Sequence, residues 1–114
     1  MTPADLKKRT QVFALRIFRL VEALPKSYAG KTVAMQLARS GSSIGANYRA
    51  ACRARSPAEF RAKLAIVIEE ADESAYWLEL IIAGKLLAEP KVAPLLQEAN
   101  EITAIMVASR KTSE

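Results

Sequence analysis

Apolar residues recur along most of this chain at spacings of three and four, the period of helices that bury one face. Across residues 3–24, Leu6, Phe13, Ile17, Leu20, Val21 and Leu24 fall in an arc of about 100° on a helical projection. Thr2 as N-cap, Pro3 at the first helical position and Asp5 near the positive helix end open the segment. Pro25 closes it. Lys8, Arg9, Arg16 and Arg19 occupy a neighbouring arc, while Val12, Leu15 and Phe18 lie outside the core stripe, where a lone bundle would leave them wet. Pro25 to Gly30 reads as a loop by its Pro, Ser and Gly content. A second helix is expected over 31–55, with Val33, Leu37, Gly41, Ile44, Tyr48 and Ala51 inward and Cys52 at their edge.

A third helix is expected over 57–87, opened by the capping box Ser56-Pro57-Ala58-Glu59. Phe60, Leu64, Val67, Ala71, Ala75, Leu78 and Ile82 share one face of it. Ile66, Trp77 and Leu80 project from the opposite side, among Glu69, Glu70 and Glu73. Gly84 and Glu89-Pro90 mark a turn. A fourth helix is expected over 91–110, with Leu95, Ala99, Ile102, Ile105 and Met106 as its stripe and Pro94 in or near its first turn. Three short connections between long helices predict an all-α, up-down-up-down antiparallel four-helix bundle, one domain over 1–114.

Small residues crowd the second helix. Gly41 and Gly45 each cost about 0.5–1 kcal/mol against Ala in a helix interior, so something offsets them. Close approach of another helix is one account; a kink near Gly41-Ser42-Ser43 is the other.

Charge is unevenly distributed. The net charge is +5, but residues 1–55 carry 11 Lys/Arg against 2 Asp/Glu, and residues 56–114 carry 6 against 10. Either the basic half faces a polyanion such as RNA or DNA, or the two halves attract one another within or between subunits. On the second helix, Arg39, Arg49 and Arg53 group away from Ile44 and Tyr48. With Lys8, Arg9, Arg16 and Arg19 they form a candidate phosphate-binding surface. Asn47 is expected to hydrogen-bond a neighbouring helix.

The off-core apolar residues are candidates for an oligomer interface: Val12, Leu15 and Phe18 on the first helix, Ile66, Trp77 and Leu80 on the third. Two different patches on one protomer permit head-to-tail contacts that close into a ring. The alternative is a core wider than the stripes drawn above.

Catalytic chemistry is sparse. There is no histidine, and the single cysteine, Cys52, has no CxxC partner and can form no intrachain disulfide. Ser42 and Ser43 lack a base and read as packing residues. Glu69, Glu70 and Glu73 point away from the core and lack the Glu-x-x-His pairs of a di-metal bundle. No catalytic residue, metal ligand or cofactor is expected. The N-terminus lacks the apolar segment of a secretory signal, and charges interrupt every apolar stretch, so a cytoplasmic location and no membrane partner are expected.

The combination Gln36-Leu37-Ala38-Arg39-Ser40, Ser43-Ile44-Gly45-Ala46-Asn47-Tyr48-Arg49, Arg53-Ala54-Arg55-Ser56, Glu59-Phe60 and Glu70-Ala71-Asp72-Glu73-Ser74-Ala75-Tyr76-Trp77-Leu78-Glu79-Leu80 resembles the bacterial four-helix bundle proteins related to the 23S rRNA intervening-sequence protein. The resemblance covers nearly the whole chain. It implies a small non-enzymatic helical protein that assembles as a homopentameric ring. A related branch, the accessory variability proteins of diversity-generating retroelements, implies nucleic-acid binding and a reverse transcriptase as protein partner. The family defines no catalytic residues. Ala50 stands where many relatives carry an acid.

Overall fold

The computed structural model describes all residues 1–114 as four helices without a strand: α1 (Pro3–Glu22), α2 (Tyr28–Cys52), α3 (Pro57–Ala83) and α4 (Glu89–Thr112). They form a rod of 45 × 21 × 20 Å. Each helix packs on the next in sequence, and α1 also touches α4, less extensively. A cluster of 21 buried apolar side chains drawn from all four helices forms the core, with Phe13, Ile17, Leu37, Ile44, Leu64, Leu78, Ile81 and Ile102 fully enclosed.

Helix starts follow the cap residues. The Thr2 hydroxyl accepts from the Asp5 N–H (3.1 Å), and the Asp5 carboxylate accepts from the Thr2 N–H (2.9 Å). Donation from the Thr2 backbone N–H, with the Thr2 hydroxyl second, holds the Asp5 carboxyl below its ordinary range. Ser56 caps α3 through the Glu59 N–H (3.1 Å).

Boundaries differ from the sequence expectation where local packing decides. Helix α1 ends at Glu22 rather than 24, because Pro25 keeps Leu24 from continuing and the last turn tightens through Ala23 N–H to Leu20 O (3.0 Å). Helix α2 starts at Tyr28 instead of 31, because the Ser27 hydroxyl accepts from the Gly30 N–H (3.1 Å). Gly30, read as loop, is a buried helical residue, and a side chain there would collide with the Pro25 carbonyl. The same helix stops at Cys52 rather than 55, which frees the chain to reach the extended Ser56 (φ −155°, ψ 159°) that Pro57 demands.

Helix α3 stops at Ala83, short of 87. Leu86 N–H bonds Ile81 O (2.9 Å) and Lys85 N–H bonds Ile82 O (3.1 Å), a Schellman closure with Lys85 in the left-handed region (φ 55°). Helix α4 covers Glu89–Thr112, longer than the expected 91–110, with Pro94 inside its second turn and no side-chain cap at Ala88.

The glycines of α2 serve close approach. The helix runs unbroken through Gly41-Ser42-Ser43. A Cβ at Gly41 would lie 3.1 Å from two side-chain carbons of Ile17, and one at Gly45 would lie 3.0 Å from the Thr10 hydroxyl. Thr10 is itself fully buried and donates to Leu6 O (2.9 Å), so its polar atom costs little there. On the other flank of α2, the buried hydroxyls of Ser40 and Ser74 meet at 2.9 Å across to α3. No helix is long and apolar enough to cross a membrane.

Candidate nucleic-acid interface and exposed apolar faces

The seven candidate cations do not form one surface. Two are tied inside the chain. Arg9 makes a two-pronged pair with Glu98 on α4 (both bonds 2.7 Å) and reaches Glu101 (3.0 Å). The Glu98 carboxylate, more than any other group, holds the Arg9 guanidinium above its already high range. Arg39 bonds Glu73 and Glu70 on α3, the latter at 3.1 Å. Its pKa is raised for the same reason, with Glu73 the main cause. For Arg39, then, the pairing of basic helix to acidic helix is realised within the chain. Glu73 accepts additionally from the Trp77 indole N–H (3.0 Å), and that bond, with Arg39, lowers the Glu73 carboxyl below 4.5.

The other five, Lys8, Arg16, Arg19, Arg49 and Arg53, form no ion pair. Four of them divide over the two flanks of α1. On one flank, Lys8 and Arg49 line a groove of about 500 Å³ between α1 and α2, together with Lys7, Thr10, Gln11, Ala14, Ser42, Gly45 and Ala46. On the other, Arg16 and Arg19 line a depression of about 320 Å³ against α4, with Lys91. Arg53 caps the C-terminal end of α2 and lines neither.

Lys7 and Gln11 were not among the sequence candidates. Their signal was the stripe Lys7, Gln11, Ala14 at helical spacing opposite the small residues of α2. Arg39 and Arg49 differ from the expectation of a shared side: the former turns to α3 and the latter to α1. Asn47 also differs, because its amide donates to Ser43 O (2.8 Å) and the Ser43 hydroxyl (3.1 Å) within its own helix.

The apolar candidates separate by exposure. Val12, Leu15, Phe18 and Ile66 are 41%, 49%, 43% and 39% exposed. Trp77 and Leu80 are half-buried, and Trp77 packs against the core with its ring edge-on to the exposed Tyr76 (centroids 5.5 Å apart). Met35 and Val107 add exposed apolar surface on α2 and α4.

Cys52 is a half-buried free thiol beside a cavity that Tyr48 also lines. Burial, reinforced by Cys52, raises the Tyr48 hydroxyl above its ordinary range. No three His, Cys, Asp or Glu residues gather as a metal site would require.

This geometry has relatives. The family model described as 23S rRNA-intervening sequence protein matches residues 4–108. Among solved structures, the chain is similar to a protein of unknown function from the S23 ribosomal protein family of Bacteroides thetaiotaomicron. The TM-score is 0.88 at 34% identity, over 97% of this chain and 99% of that one. No curated protein matches at a significant level.

Proposed function

The chain belongs to the 23S rRNA-intervening sequence protein family, and from that membership we propose that it is a non-enzymatic, self-associating bundle. Its helices alternate up and down, its copies close into a homopentameric ring, and unpaired cations of its N-terminal half contact RNA or DNA. One observation supports the nucleic-acid part above others. Residues 23–58 hold six Lys/Arg and no Asp or Glu, and of those six only Arg39 is ion-paired. Bare cations on a rigid scaffold attract a polyanion.

Self-association draws support from two outward faces of opposite character. On α1, Val12, Leu15 and Phe18 share the outer side with Arg19. On α3, Ile66 and Tyr76 share it with Glu69 and Asp72. Apolar contact with charge complementarity between unlike faces is the head-to-tail geometry that closes rings.

The test is a titration of fluorescein-labelled single-stranded RNA and DNA with the intact protein. Binding is expected at about 50 mM salt and should fall steeply by about 200 mM. Affinity that does not change with salt would refute it. A second reading, a protein-interaction scaffold without a polyanion, is favoured by the ion pairs of Arg9 and Arg39. Under it, the same pairing continues across subunits and no oligonucleotide binds even at low salt.

A further inference from the structure

Resting on the nucleic-acid reading, we propose that the groove between α1 and α2 is a phosphodiester site that takes the backbone of a single RNA or DNA strand. The floor of the groove is where the two helices come nearest, Gly45 against Thr10. Ala14, Ser42 and Ala46 are too short to fill the space above it, which leaves about 500 Å³ open. That lies within the roughly 300–1,000 Å³ of small-molecule pockets.

Lys7 and Lys8 stand on the α1 wall and Arg49 on the α2 wall. None of the three pairs with a carboxylate, and α2 contains no Asp or Glu to neutralise them. Three like charges around one concavity repel each other, and an anion between them removes that repulsion.

The depression beside Arg16 and Arg19 is smaller, and the cavity of about 600 Å³ beside Tyr48 and Cys52 carries one cation, Lys7, among uncharged walls. A duplex presents its phosphates on a stiff convex surface, which meets the groove only at its rim. A flexible single strand bends into a concavity and brings successive phosphates to both walls.

The test uses the full chain and a fluorescein-labelled oligothymidine, with oligouridine and a DNA hairpin as parallel probes. Ala46→Glu places a carboxylate in the groove at an exposed helical position. It should weaken oligothymidine binding by about ten-fold or more. Ala29→Glu makes the same charge change near the far end of α2 and should weaken binding by less than about three-fold. Gln11→Lys adds a cation to the wall, should tighten binding about three-fold, and should steepen the salt slope by about 0.7. A gain of this kind cannot come from misfolding.

Equal losses in Ala46→Glu and Ala29→Glu would overturn the groove while leaving nucleic-acid binding intact, because the field would then be diffuse. A hairpin bound as tightly as the single strand, and equally weakened by Ala46→Glu, would overturn the single-strand assignment. Absence of any binding by the unmodified protein at low salt would overturn the groove and the reading it rests on together.

Discussion

Replacing Gly41 with Ala sets two effects against each other. Ala in a helix interior is favoured over Gly by up to about 1 kcal/mol. Against that, the new Cβ would lie 3.1 Å from both γ carbons of Ile17 and 3.3 Å from its Cβ. Ile17 is fully buried and β-branched, so it has one strongly preferred rotamer and cannot swing aside. Overpacking of this kind costs about 1–3 kcal/mol, and the net expectation is a loss of about 0.5–2 kcal/mol. In an Ile17→Ala background, itself destabilised by about 2–5 kcal/mol, both γ carbons are gone. Gly41→Ala should then stabilise by up to about 1 kcal/mol, a coupling of about 1–3 kcal/mol. Ile17→Val keeps both γ carbons and should give no such relief. Urea unfolding of the four cycle members reads the effect, at matched protein concentration because association shifts apparent stability. Gly41→Ala stabilising the unmodified background by about 1 kcal/mol would show that the glycine is not there for close approach.

Lys85 sits in the left-handed region at φ 55°, so Lys85→Gly should raise stability by about 0.5–1 kcal/mol, seen as a Tm increase of a few degrees. Leu15 is 49% exposed on the outer side of α1; Leu15→Glu should lower the mass in solution while circular dichroism stays helical, and an unchanged mass would remove α1 from the interface. The ionised Glu73 carboxylate is stabilised in the fold, so its contribution is complete above the ordinary value of 4.5 and disappears as pH falls through the lower native value. Thermal melts should therefore show less acid sensitivity as the pH falls below 4.5 in Glu73→Gln than in the unmodified protein, and parallel slopes would contradict the assignment.

The helical stripes were legible because burial is one-sided and periodic, and the capped starts at Thr2 and Ser56 because those caps act locally. The start of α2 was not. Ser27-Tyr28-Ala29-Gly30 has the composition of a loop, and only the Pro25 carbonyl over Gly30 makes that glycine a helical requirement. At the end of α3, Gly84 marks a turn in the sequence, yet the left-handed position falls one residue later on Lys85, where the Schellman bonds place it. The candidate cations were legible as a charge excess but not by partner. Arg39 and Arg49, ten residues apart, differ by about 80° around the helix, enough to send one to Glu73 and the other to the groove. The hydroxyls of Thr10, Ser40 and Ser74 hid in the core because each bonds a main-chain oxygen one turn back or another hydroxyl.

Sedimentation equilibrium of the purified full chain probes the surplus apolar surface most directly. The proposed pentameric ring, with Val12, Leu15, Phe18 and Ile66 covered by other copies, predicts an assembly near five times the 12.5 kDa chain mass, persisting on dilution to micromolar concentration. A species of 12.5 kDa at high concentration would contradict it and leave those side chains in water.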